Sequence, residues 1–529
     1  MAEATQTAAS GAGDMPSRTQ QIGFIAAVFG MFMAILDIQI VASSLNELQA
    51  GLSASQEQIS WVQTSYLIAE IVMIPLSGML ARIFSTRLVL TVSAVGFTLA
   101  SLGCALSTSL ETLIVLRALQ GFMGGAMIPL TQAASFSIFP RRMMGSIQAV
   151  IGLVATMAPS IGPSVGGYIT EHMSWHWLFL VNLVPGVIVA TLVWRNLDID
   201  KGDRQLLKRL DILGLSMMAV FLGSLEFVLE EGAGDDWFAS SLILFWTVIC
   251  GLAAIGFFWR TLTIDNPIVD LRVFKDRNFA LGALVGFWIG VVLYGLVYLV
   301  PLYLGTVAGF SSVQIGDVMF VSGVVMFLMA PLAGKLSDTI DLRLMLCIGL
   351  VLTGIGTGLN MHLTSASGYN AFFWPQVIRG AGQIMVLLSV SRLALGRLSA
   401  HDVGNGSGLF NVMRNLGGAV GLALIDTILE LREDYHWNQL IGAVDLGRQE
   451  VVDQLISYQL SLNSLADPLR AGVGMIAQRI STQAEVLSYD NLFLWLGTVY
   501  VVGSVVAFLF RKPEPHPAPA KTDKPVLED

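Results

Sequence analysis

The stretch Gly152-Leu-Val-Ala-Thr-Met-Ala-Pro159-Ser-Ile-Gly162-Pro163-Ser-Val-Gly166-Gly167 lies inside an apolar segment of helix length. Small residues let membrane helices approach closely, and each proline removes a backbone donor and bends its helix. The surrounding composition says that this is membrane helix. Over half the chain is hydrophobic (54%) and only 13% is charged, far from the balance of a soluble globular protein.

Apolar runs of 18 or more residues recur from end to end, and each can cross ~30 Å of hydrocarbon. They predict fourteen spans: 22–44, 59–80, 86–107, 111–135, 145–169, 176–195, 211–230, 240–260, 278–306, 314–337, 342–361, 370–394, 404–429 and 490–511. The opening stretch falls in the fifth.

Loop charge tests the count, because Lys and Arg concentrate in cytoplasmic loops. With the first segment inside, 22 of the 29 Lys and Arg fall in inner segments. Only Arg432, Arg448, Arg470 and Arg479 lie outside, all in one loop, and Arg117, Arg379 and Arg414 lie in spans. Both termini are therefore expected in the cytoplasm. The net charge of −9 says little about partners, because positive charge lies on the inner face and acids crowd outside; no nucleic-acid binding is expected. Cys104, Cys250 and Cys347 all fall within spans, so no disulfide framework is expected. Residues 1–20, rich in Ala, Ser, Thr and Gly without an apolar h-region, and 512–529 are expected to be disordered cytoplasmic tails.

Two echoes suggest duplication. Gly78-Met-Leu-Ala-Arg82 after span 2 resembles Gly334-Lys-Leu-Ser-Asp338 after span 10. Arg117-Ala-Leu-Gln120-Gly121 in span 4 has a looser counterpart in Arg379-Gly-Ala-Gly-Gln383 in span 12. The nearly constant offset predicts an all-α fold of two six-helix bundles, 21–197 and 278–511. Two extra spans sit in the linker 198–277. Secondary transporters are often built so.

At these residues the chain resembles the major facilitator superfamily, and more narrowly its fourteen-span drug:proton antiporters of the EmrB/QacA type. Leu36-Asp37-Ile-Gln39-Ile-Val41 is similar to the span 1 motif Leu-Asp-x-Thr-Ile-Val, with Gln39 for Thr. The Arg117–Gly125 run is similar to the span 4 motif, and Pro159–Gly167 to the span 5 antiporter motif. Trp175-His-Trp177 through Asn182 to Gly186 is similar to the entry to span 6. Asn266-Pro-Ile-Val-Asp270 through Phe279 looks especially like the EmrB branch. One departure is Arg82, where the superfamily usually carries Asp; the second-half copy keeps Asp338.

A proton-driven exporter needs an acid whose protonation competes with substrate or changes the conformational balance. Ionisable groups within spans are costly and default to functional hypotheses. Asp37 is the first candidate, Arg117 the cation that would tune it and exchange partners, and Glu70 in span 2 the second acid. Gln39, Gln120 and Arg379 are candidates for a polar network. Glu226 and Asp426 lie nearer the outer ends, where solvated acids are expected. Gly162, Gly166 and Gly167 are expected to pack closely against span 8-equivalent helices of the other half while Pro159 and Pro163 bend the helix, and the resemblance implies that this packing seals one end of the pathway. A substrate cavity near the midplane would draw on Trp288, Tyr294, Tyr298, Met326, Phe327 and Met329, since Met and aromatic side chains adapt to varied ligands.

Residues 430–489 are the one long outer loop, with helix-like stretches from Val451 and around Ala471–Leu487. A loop this long is usually functional. The EmrB resemblance implies docking of a periplasmic adaptor protein that leads to an outer-membrane channel. The expected protein is thus a multi-pass bacterial inner-membrane exporter of hydrophobic or amphipathic drugs, not an enzyme. It would use the proton gradient and no cofactor; no Gly-x-x-x-x-Gly-Lys-Ser/Thr motif appears. The alternatives are a dedicated exporter of a fatty acid or siderophore-like metabolite, or a non-transporting sensor or scaffold.

Overall fold

The structure, a computed structural model, describes residues 16–140, 143–209, 211–264, 267–398, 402–444, 448–461 and 467–511. The C-terminal tail, most of the N-terminal one, and Arg141, Arg142 and Asn266 lie outside the described residues. Thirteen described helices are long and apolar enough to cross a membrane, and the remaining expected span is Leu342–Gly358, 17 residues long. At 1.5 Å per residue it covers about 25 Å, the lower limit for a span.

Duplication is visible in how helices begin. Ser55 and Ser311 each cap a helix through a capping box with Gln58 and Gln314. These open Gln56–Phe84 (span 2) and Ser312–Thr339 (span 10), 256 residues apart, as are Gly78 and Gly334. Each box satisfies two orphan backbone donors at a helix start.

The halves meet along two crossed pairs, span 5 (Met144–His172) on span 10 and span 2 on span 13 (Val403–Ala443). The repeated glycines make both contacts. A Cβ on Gly78 would stand 3.2 Å from Gly404 O, and one on Gly145 would stand 2.6 Å from Gly334 O. The inserted spans pack on the outside. Span 7 (Ile212–Glu231) docks on span 2, where Thr64 Oγ1 donates to Glu231 Oε1 at 2.7 Å. Span 8 (Ser241–Thr263) is held to span 7 by Arg260 on Asp211 at 3.2 Å and is otherwise a lipid-facing helix.

Three expectations change. Span 4 is two helices, Leu110–Gly124 and Met127–Ile138. Gly124 and Gly125 are pressed against Tyr66 and Glu70 of span 2 at the break, and Pro129 lacks the N–H that would bond back to Gly125. The 430–489 segment is largely not loop: span 13 continues as helix to Ala443, and the last span begins at Pro468. Between them stands the helix Gln449–Ser461. Helices of 41 and 36 residues are about 60 and 54 Å long and must project well beyond ~30 Å of hydrocarbon.

The third concerns the opening motif. Helix Met144–His172 runs through both Pro159 and Pro163. Gly162 faces the Gln39 side chain, and a Cβ on Gly166 would stand 2.8 Å from Ile40 O and 2.5 Å from Ser43 Oγ. These two glycines thus seat span 5 on span 1 (Arg18–Ala42) of the same half. Contact with the other half falls to Gly145, to Gly152, which faces Ile384 and Leu387, and to Ser164, which faces Gly316. One helix has two faces, and the glycine spacing of the motif selects the face toward span 1. Gly167, buried beside them, offers its carbonyl to Thr170 Oγ1.

Candidate functional site

Asp37 and Arg117 meet in the interior of the first half, both wholly buried. Arg117 Nη1 donates to Asp37 Oδ2 at 2.5 Å and to Gln120 Oε1 at 2.8 Å, while Nε donates to Val62 O. Asp37 Oδ1 accepts from Gln120 Nε2 at 3.0 Å and from Asn182 Nδ2 at 2.6 Å. Gln120 also donates to Ser101 Oγ, and the guanidinium lies over the Tyr66 ring, 4.3 Å from its centroid. Spans 1, 2, 3, 4 and 6 therefore converge on one carboxylate. A buried ion pair offsets its desolvation only when further hydrogen bonds satisfy both partners. Here the carboxylate is fully served, whereas Arg117 Nη2 has no partner.

Glu70, one turn beyond Tyr66, is buried with Oε1 unpartnered. Gln39 points at Gly162 and stays out of the Asp37 cluster. Arg379 is buried in the second half beside span 11, its Nε unpartnered, and belongs to none of the ion pairs among the described residues. The repeat in sequence thus does not extend to a second acid–base cluster. Glu226, expected to be solvated, is 5% exposed with Oε2 unpartnered, because span 7 turns that face inward. Asp426 is half-buried beside Tyr298.

Between the halves lies a small cleft of about 20 Å³, room for about one water molecule. Its polar lining is Gln132, Gln148, Ser391, Asn411 and Arg414; Met31, Ile128, Ile151 and Leu387 supply much of the apolar part. Polar contacts tie the halves together here. Asn411 Nδ2 donates to Gln132 Oε1 at 2.8 Å, Ser407 Oγ donates to Pro129 O at 3.0 Å, and Gln132 Nε2 reaches Ser391 Oγ at 3.5 Å.

None of the aromatic and Met candidates lines this cleft. Trp288 and Phe327 are 45% and 58% exposed, and Tyr298 is exposed at the outer end. Met326 is packed in the core and Met329 half-buried against it. Tyr294 packs on Gly418 and donates to Asn415 Oδ1 at 3.3 Å. In a bilayer the lipid face and the core are both apolar, so apolar residue type does not say which way a side chain faces. The cleft residues carried a usable signal: Gln132, Gln148, Asn411 and Arg414 are polar groups inside spans, and only Arg414 stood out by charge. On one side Asp338 is held by Arg392 Nη1 at 2.7 Å beside Gly145, whereas Arg82, at the matching position, offers its backbone carbonyl to Asp203 N–H and joins no ion pair among the described residues.

The Major Facilitator Superfamily model matches residues 27–422. The chain belongs to that superfamily. Within it, the chain falls in the EmrB-type family. It is 44% identical to the colistin resistance protein EmrB of Acinetobacter baumannii, over 94% of this chain and 97% of that one. It is 29% identical to the multidrug export protein EmrB of Escherichia coli K12, over 90% and 93%. The human organic anion transporter MFSD10 (TETRAN) shares the fold, with a TM-score of 0.55, 13% identity and coverage of 91% of this chain and 99% of that one. This major facilitator protein is accordingly a multi-pass membrane transporter and not an enzyme.

Proposed function

We propose that this transporter exports hydrophobic or amphipathic compounds, drugs among them, in exchange for protons by alternating access of the cleft between its halves. The observation that carries the reading is Asp37, a wholly buried carboxylate held by Arg117, Gln120 and Asn182. Protonation removes its charge and weakens its bonds to all three donors, so a proton arriving there loosens spans 1, 4 and 6 together. Arg117, with Nη2 unpartnered, is the cation that changes partner. Glu70 is the second proton-binding acid.

Loop charge supports a bacterial inner membrane with both termini in the cytoplasm. The helical extension beyond the outer side exposes Ile456, Leu460, Leu469, Val473 and Met475. Exposed apolar side chains clustered outside the membrane suit a protein partner. A periplasmic adaptor serving an outer-membrane channel fits that place.

Purified protein in proteoliposomes, given an imposed pH gradient and a panel of lipophilic compounds, tests the coupling. Compound-dependent proton flux is expected from the native protein and none from Asp37→Asn. Undiminished coupled flux in that variant removes Asp37 from the mechanism, and flux with no compound removes the exporter reading.

A further inference from the structure

We infer that the outer extensions of spans 13 and 14 are joined by a pH-sensitive latch, in which a proton on His436 loosens the seam between the two helices. The inference stands apart from the exporter reading and does not need it.

His436 lies on the helix Val403–Ala443, past the stretch expected to cross the membrane, and is 8% exposed. Asn491 Nδ2, on the helix Pro468–Gly503, donates to His436 Nε2 at 2.7 Å, and Arg432 Nη2 stands 3.4 Å from the same nitrogen. Nε2 is therefore the acceptor, and the neutral ring carries its hydrogen on Nδ1, which is buried without a partner. A second proton has only Nε2 to go to, where it meets an amide donor and a guanidinium. Turning the Asn491 amide presents its oxygen instead but leaves the charge of Arg432 in place. That charge is fixed in position. The guanidinium lies over the ring of Tyr435 at 4.7 Å and over that of Trp495 of span 14 at 5.4 Å, and it joins no ion pair among the described residues.

Burial and the Arg432 charge hold the imidazole below its usual range. A histidine depressed in this way favours the packed seam above its ordinary value of about 6.5 and opposes it as pH falls.

No carboxylate bonds to the ring among the described residues. Asp490 accepts from Leu363 N–H, and Glu430 and Asp434 are exposed. The Tyr435 ring meets His436 edge-on at 5.3 Å, and the Tyr489 hydroxyl is turned to Thr306 of span 9. Helix Gln449–Ser461 packs further along span 14, around Gly472 and Arg479. Across the same seam, burial and then Glu433 of span 13 raise the carboxyl of Glu485 of span 14. Acid relieves that repulsion and tightens the seam, the opposite sense to His436, so a variant of the ring separates the two.

The test places nitroxide labels at Asn438→Cys and Gln478→Cys, both exposed, in the full-length protein in nanodiscs, in a background without Cys104, Cys250 and Cys347. Pulsed EPR reads the distance between the two helices at about pH 7.5 and about pH 5.5, on either side of the ordinary histidine range. A longer distance is expected to gain population at the lower pH, by about threefold or more relative to the packed one. His436→Gln cannot take the proton and is expected to lose this loosening, and His436→Arg to show the longer distance at both pH values. Asn491→Asp sets a carboxylate against the ring and is expected to reverse the response, because the charged imidazole is then held. Distances in the native protein that do not change with pH overturn the inference whatever the variants do. So does the native loosening persisting in His436→Gln or in Asn491→Asp.

Discussion

Asn411 of span 13 donates to Gln132 of span 4 at 2.8 Å, a side-chain bond that crosses from one half of the bundle to the other. Both residues line the cleft, and the glycine contacts Gly78–Gly404 and Gly145–Gly334 join the halves as well. The amide pair is part of what holds the halves together at the cleft.

Breaking that pair is expected to loosen the halves there. A neutral hydrogen bond of this kind contributes about 0.5–1.5 kcal/mol net, which is about a two- to tenfold change in the balance of states. Asn411→Leu should raise labelling of an Ile151→Cys reporter by a membrane-impermeant maleimide applied from the side of the termini, in a background without Cys104, Cys250 and Cys347. Unchanged labelling would remove the pair from what holds the halves.

The donors around Asp37 differ in what they hold. Asn182 is an uncharged donor to the carboxylate at 2.6 Å that also reaches Ser101 Oγ at 3.5 Å, and its loss in Asn182→Leu is expected to cost about 1–3 kcal/mol. Arg117→Met strands a buried carboxylate and is expected to cost about 3–5 kcal/mol. Thermal unfolding of the purified variants should rank them in that order. Adding Asp37→Asn to Arg117→Met should recover part of the loss, since the stranded charge is then gone.

Glycines of span 5 are not equivalent. A Cβ at Gly166 meets Ile40 O and Ser43 Oγ at 2.8 and 2.5 Å, where the backbone of span 1 cannot yield. At Gly152 the nearest atoms, on Ile384 and Leu387, stand at 3.5 Å, an ordinary contact. Gly166→Val is expected to destabilise by about 1–3 kcal/mol or more through overpacking, and Gly152→Ala to be close to neutral. Size-exclusion profiles and melting curves of the two variants check the contrast.

Much of this was legible in the sequence because membrane crossing leaves a strong one-dimensional mark. The apolar runs, the basic loops and the Asp37, Arg117 and Gln120 positions all follow from the cost of charge in hydrocarbon. What was not legible depends on how helices are rotated and which ones meet. Asn182 stood within a recognised motif, but only the packing of span 6 brings it to Asp37. Gln132 and Asn411 are nearly 280 residues apart, and neither alone announces the other. Trp288 and Phe327 have the chemistry of a drug pocket and sit on exposed surface instead. The helix-like stretches from Val451 and around Ala471 in the segment 430–489 are helices, but polar composition hid that the second of them, and the end of span 13, simply continue the spans.

The projecting helices give the last prediction. Ile456 and Leu460 are exposed on Gln449–Ser461, outside the bilayer, so leaving these apolar side chains in water has no benefit for the transporter alone. Changing surface residues of this kind usually alters stability by no more than about 0.5 kcal/mol. The double variant Ile456→Ser/Leu460→Ser should therefore fold normally and keep coupled flux in proteoliposomes. In cells it should lose drug resistance and lose cross-linking to the adaptor proposed above, because hydrophobic anchors carry most of the energy of such a contact. Resistance at the native level in cells that make the variant at native abundance would show that these two side chains do not carry the contact.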